Sequence, residues 1–123
     1  MLKDYSTARI EEVETEEAPR SGTTFANLTD ELDCTEIAIR IWFLEPGDSI
    51  TYHRETAQEE LYYPISGPGQ MHIEGERINV PERTVVRVPP ETARKVLNDT
   101  SETEHEWLIA GAPKSKSEAE YID

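Results

Sequence analysis

The residues best suited to chemistry fall in short segments with strand-like spacing. In ITYHRET (50–56), His53 and Glu55 stand two apart. On a strand that spacing puts both side chains on one face. Imidazole and carboxylate are reasonable ligands for Zn, Mn or Fe(II). In QMHIE (70–74), Gln70, His72 and Glu74 share one face and Met71 and Ile73 the other, which makes His72 and Gln70 candidate ligand contacts. His105 lies in the acidic run ETEHE and is expected to be exposed. Cys34 is the only cysteine; without a histidine partner in sequence it reads as a small buried hydrophobe rather than a nucleophile. No Ser/His/Asp order, phosphate-binding loop or dinucleotide glycine fingerprint is present.

Strands must position these groups. Glycine and proline recur at short intervals: Pro46-Gly47, Gly67-Pro68-Gly69, Gly75, Pro81, Pro89-Pro90 and Gly111. Between them lie segments of period-2 or β-rich character at 36–44, 50–54, 60–66, 70–74, 77–79, 84–88, 93–98 and 106–111. In EIAIRIWFL (36–44), Ile37, Ile39, Ile41 and Phe43 share one face; Ala38, Arg40, Trp42 and Leu44 share the other. Arg40 adds a cation to a cavity if its face lines one. No segment has a convincing 3.6-residue apolar period. The pattern predicts a single all-β domain over 1–123, a sandwich or barrel. Residues 1–35 are expected to form N-terminal strands or an arm, with the Glu-rich stretch 11–17 as edge strand or solvated arm. KSKSEAEYID (114–123) reads as a flexible tail.

Charge excludes some partners. Twenty-six acidic residues face twelve basic ones, a formal charge of −14. No basic stripe exists to meet phosphates, which argues against nucleic acid. Self-repulsion on this scale costs stability in dilute buffer and is relieved by molar salt, so an acid-rich, Lys-poor surface suggests a halophilic host. No run approaches the roughly 20 apolar residues of a membrane span. The polar, acidic start (MLKDYSTARIEE) argues against a secretory signal. With one cysteine, a cytoplasmic location is expected.

The span Pro46–Asn98 resembles the two sequence motifs of the cupin superfamily. In PGDSITYHRETAQEELYYPISG, Gly47, His53, Glu60 and Gly67 fall at the spacings of the first motif. In RTVVRVPPETARKVLN, Pro89 and Asn98 are in register with the second. WLIAGAP is similar to the last strand of small cupins, so the resemblance covers about 36–113. It implies a cupin-type double-stranded β-helix, or jelly-roll barrel, and a homodimer to which the apolar face of 37–43 could contribute. It also implies that His53, Glu60, position 55 and position 94 converge inside the barrel. Two of these depart from the family pattern of metal-binding histidines: they are Glu55 and Arg94. The two glycine positions of the second motif are Arg83 and Glu91.

Guanidinium stays protonated, offers no lone pair and repels a cation. Two buried carboxylates repel each other unless positive charge lies between them. Arg94 can supply that charge in place of a metal, bridging Glu55 and Glu60. The expected function is therefore the binding of a small polar or anionic molecule, with Arg94, His72, Tyr62 and Gln70 as contacts. Neither a cofactor nor catalytic residues are assigned. The first alternative keeps a divalent metal (Mn, Fe, Ni or Zn) on His53, Glu55 and Glu60, as in a dioxygenase, isomerase or epimerase. The second is a structural dimer module. Tyr62 shares Glu60's face and so points to the pocket; Gln58 could also turn inward.

Overall fold

The computed structural model describes residues 4–100 and 102–122. The first three residues of the polar start and the last of the expected tail lie outside the described residues. The strands are β1 (Thr15–Glu17), β2 (Thr24–Asn27), β3 (Ala38–Leu44), β4 (His53–Glu55), β5 (Glu59–Ser66), β6 (Gly69–Ile73), β7 (Glu76–Val80), β8 (Val86–Val88), β9 (Arg94–Leu97), β10 (His105–Ala112) and β11 (Ala119–Tyr121). They form a six-stranded sheet, β1-β2-β3-β10-β5-β8, and a five-stranded sheet, β11-β4-β9-β6-β7. The neighbouring strands pair antiparallel. The fold is all-β, as the turn spacing indicates. The expected barrel is realised as two facing sheets: among the described residues, no ladder joins one sheet to the other. No helix among them is long and apolar enough to cross a membrane.

The period-2 pattern of β3 sets its two faces. Leu44 packs inside with Ile50, Tyr62, Met71, Val80, Val88, Val96, Trp107 and Ile109, and Trp42 borders the same cluster. The outer face carries Ile39, Ile41 and Phe43. These pack with Ala8, Ile10, Val13, Leu28 and Leu32 from the N-terminal segment. Most of the face expected at a dimer interface is thus covered by the chain itself, and of that set only Ile37 is largely exposed. The cover is pinned by α1 (Leu28–Glu31), whose N-cap Asn27 accepts from Thr29 N and Asp30 N. Thr29 Oγ1 in turn donates to Ile39 O and accepts from Ile39 N.

Two buried polar residues show how the ends of the sandwich are fixed. Asn98 Nδ2 donates to Leu44 O (3.1 Å) and Thr103 O (2.6 Å), and its Oδ1 accepts from Thr100 N (3.0 Å). One amide therefore ties β9 to β3 and to the loop before β10. His105, expected on the surface, is buried at the start of β10 opposite Leu44. Acidic neighbours in sequence misled here: the strand's alternation puts His105, Trp107 and Ile109 on one face regardless of the run they sit in.

The expected tail is instead part of the fold. β11 pairs with β4 (Ala119↔Glu55, Glu120↔Arg54, Tyr121↔His53), and Ile122 N donates to Tyr52 O. This edge strand is polar and mostly exposed, so its ladder bonds leave no apolar signature in the sequence.

Candidate functional site

The site is built where the two sheets face each other. His53 pairs with Arg94 across β4 and β9. On the other sheet, Glu60 and Tyr62 of β5 lie two apart on one face, opposite Gly111 and Ile109 of β10. Gly111 is needed there: a Cβ would come within 2.4 Å of Gln58 Oε1 and 3.0 Å of Glu60 Cγ. Gln58 is indeed turned inward and buried, with its Nε2 donating to Pro113 O at 3.4 Å.

Arg94 is fully buried. Its Nη2 donates to Glu60 Oε1 at 2.9 Å and its Nε to the same oxygen at 3.3 Å. Nη1 donates to Thr92 O at 2.7 Å. The Tyr62 hydroxyl donates to Glu60 Oε1 at 2.7 Å, so that oxygen accepts from three donor groups. Burial, and then the Glu60 charge, hold the Tyr62 phenol well above its ordinary value, which keeps it a donor. Burial alone would lower Arg94, but Tyr62 and Glu60 outweigh it and the guanidinium is held above its usual value.

Glu55 does not join this cluster, contrary to the expected bridge. No hydrogen bond or ion pair joins it to Arg94; its Oε1 accepts from Glu118 N at 3.1 Å, and its Oε2 lies 3.6 Å from His53 Nε2. Arg94 is the register partner of His53, and its side chain reaches across to the opposite sheet. Burial and the Glu60 charge raise the Glu55 carboxyl. His53 Nδ1 lies 2.9 Å from Thr51 O. A carbonyl can only accept, so the ring proton sits on Nδ1. Burial lowers the His53 pKa, leaving a neutral ring with the Nε2 lone pair turned toward Glu55. Two acceptors cannot satisfy each other, so each keeps a lone pair for another donor.

Donor atoms of His53, Glu55 and Glu60 lie within 4.8 Å of one another. Such a set can hold a divalent cation, and Nδ1 tied to a carbonyl is the usual support for a ligating imidazole. The fourth converging position is a guanidinium, which cannot ligate. A possible metal site is therefore present, with three donors and a fixed cation behind Glu60.

These groups open into a cavity of about 800 Å³, large enough for a small organic ligand. Tyr62, Gln58, Trp42 and Arg40 line it with His53, Glu55 and Glu60. His72 and Gln70 do not. They lie on the β6 face opposite Met71, which packs in the core, and Gln70 Oε1 accepts from Asp99 N. Strand parity alone could not choose which face of β6 points inward. Arg94 acts behind the wall rather than in it. The residues not anticipated are those brought by distant segments: Arg20, Phe25, Lys114 and Tyr121 also line the cavity.

The model of the family described as "Cupin domain" matches residues 40–111. An uncharacterized protein of Methanocaldococcus jannaschii is 31% identical over 52 residues, which is 42% of this chain and 42% of that protein. Among solved structures, a cupin protein from Bacteroides fragilis is similar at 22% identity and TM-score 0.73, covering 95% of this chain and 91% of that one. A sugar phosphate isomerase from a cupin superfamily, from Silicibacter pomeroyi, superposes with TM-score 0.81 at 16% identity, covering 96% and 82%. The polyketide cyclase RemF from Streptomyces resistomycificus gives 0.80 at 15% identity, covering 100% and 87%. Likeness at these identities concerns fold alone, and the functions named differ.

Proposed function

The chain belongs to the cupin domain family, and from that premise we propose that its cavity binds a small polar or anionic molecule without the metal ion usual at this position. The observation that carries the reading is the Arg94–Glu60 pair: a buried guanidinium occupies the place of a fourth ligand and donates to Glu60 Oε1. Glu60 already has its countercharge, so a metal is not needed to hold it inside the fold. That leaves His53 Nε2 and Glu55 Oε2 as acceptors facing a ligand with hydroxyl or amine donors.

A second reading is favoured by the three donor atoms within 4.8 Å. His53, Glu55 and Glu60 would hold a divalent ion, which would supply Lewis-acid chemistry there. Elemental analysis of protein purified without chelator, then soaked in Mn, Fe, Co, Ni and Zn, separates the two. The first reading expects no stoichiometric metal. It also expects metal uptake to appear in the Glu55→His/Arg94→His double variant. Stoichiometric metal in the wild type, lost in His53→Ala, would establish the second reading and end the first.

A further inference from the structure

Two strands from Tyr62, and away from the His53–Glu55 pair, the cavity lining carries a cation, Arg40. Of twelve Lys and Arg residues, Arg20, Arg40 and Lys114 line this one cavity. Three acids, Asp30, Glu55 and Glu60, line it too, so the lining is balanced in charge on a chain that stands at −14. Arg40 carries the point. Its guanidinium stacks over the Phe25 ring at 4.3 Å, and among the described residues it makes no ion pair. Phe25 is itself set against Trp42, ring centroids 4.8 Å apart. A planar cation held flat on an aromatic ring keeps its edge free for a planar or tetrahedral anion.

Arg40 also belongs to the same row as the inner cluster. It pairs with Ile109 of β10, which pairs with Tyr62 of β5. Two strand spacings, about 10 Å, separate Arg40 from Tyr62, and the Arg40 charge reaches far enough to act on Glu55. The His53–Glu55 pair offers lone pairs, from His53 Nε2 and Glu55 Oε2; Arg40 offers N–H donors and positive charge. Trp42, Phe25 and Ile109 line the same cavity. A ligand matching both carries an anionic group at one end and a hydroxyl at the other, on a flat or apolar body.

We propose that Arg40 is the anion-recognition residue of this cavity, and that the cavity selects hydroxylated organic anions, carboxylates or phosphate esters, over neutral molecules of the same shape. This deepens the reading of the cavity as a small-molecule site and rests on it.

The test is a titration of the wild-type protein, followed by amide NMR shifts, with 4-hydroxybenzoate, 4-hydroxybenzamide, benzoate and 4-hydroxyphenyl phosphate. The two hydroxylated anions are expected to perturb the residues around Arg40 and Glu55. The neutral amide should bind about tenfold more weakly or less, as expected when a charge-assisted contact is lost. Benzoate should keep the Arg40 perturbation and lose the one at Glu55. Whichever of the carboxylate and phosphate binds tighter identifies the source of the anion. Arg40→Met should weaken the anions about tenfold and leave the amide unchanged, while Arg40→Lys retains part of the preference. Arg40 is exposed, so neither variant threatens the fold. Equal binding of amide and anion, unchanged in Arg40→Met, would overturn the role of Arg40 and leave the cavity reading standing. Failure of every probe to perturb any cavity residue would overturn both.

Discussion

Two groups of polar side chains sit a few ångströms apart at this cavity and its wall, and they are built to opposite specifications. Arg94, Glu60 and Tyr62 form a closed set: the guanidinium and phenol donate to Glu60 Oε1, and Arg94 also donates to the Thr92 carbonyl. His53 and Glu55 form an open one. Each is anchored by one backbone contact, to Thr51 O and from Glu118 N, and each turns an unsatisfied acceptor to the cavity. The difference separates scaffold from chemistry. A closed ion cluster stabilises the place where two sheets meet; an open pair of acceptors waits for a donor from outside.

The largest effect expected from this contrast comes from breaking the closed set. Arg94→Met leaves the half-buried Glu60 carboxylate without its countercharge, and should cost about 2–4 kcal/mol. Glu55→Gln should change stability by no more than about 1 kcal/mol in either direction, because the amide oxygen can still accept from Glu118 N and burial already penalises the charge the substitution removes. Denaturant midpoints of the two variants, with equal slopes, measure both. Similar losses at Arg94 and Glu55 would mean that the two sets are one cluster and that Glu55 too is held by the guanidinium.

That mistaken bridge marks the limit of what the sequence could convey. The spacing of Gly47, His53, Glu60 and Gly67 located the fold and two members of the site, His53 and Glu60, because motif spacing encodes strand length and turn position together. It could not say which carboxylate Arg94 would reach, since a long side chain chooses its partner in three dimensions. The tail was misread because β11 is held by ladder bonds and by Arg54–Glu120 (3.1 Å), which require no apolar pattern. The cations that line the cavity, Arg20, Arg40 and Lys114, come from segments far apart in sequence, so no window along the chain contains them. Arg40 alone was accessible from parity, through its shared face with Trp42.

A smaller effect should distinguish the histidine of the open pair from the one far from it. Burial lowers the pKa of both His53 and His105. His53 has a carbonyl partner at Nδ1, whereas His105 Nδ1 has none among the described residues. With a folded pKa below the unfolded value of 6.5, each ring contributes stability that is fully present above pH 6.5 and is lost as pH falls toward the folded pKa. Glu55, held above the ordinary carboxylate value of 4.5, acts in the opposite sense, costing stability as pH rises from 4.5 to its folded pKa. Stability should therefore fall on acidification below 6.5, and His105→Gln should blunt the fall. In an NMR titration both imidazoles should titrate below 6.5, and 4-hydroxybenzoate should shift only the His53 curve. A His105 response to the probe would erase the distinction between the cavity and the packed end.

The smallest effect concerns the turns that carry the strands to this site. Arg83 and Glu91 occupy the positions where the cupin pattern has glycine, and both keep the left-handed backbone that glycine would adopt freely, at φ 65° and 70°. Glu91 matters more to the open pair, because its N–H donates to Glu55 O at 2.8 Å and so fixes the end of β4. An L side chain in this region costs about 1–2 kcal/mol, while glycine loses about 0.5–1 kcal/mol more entropy on folding. The balance for Glu91→Gly is a gain of about 0.5 kcal/mol, visible as a small upward shift of the denaturant midpoint. If the left-handed turn is only scaffold, ligand titrations of Glu91→Gly should match the wild type. A variant that is more stable but binds more weakly would instead place the Glu91 side chain on the side of the open pair, as part of what the cavity presents to its ligand.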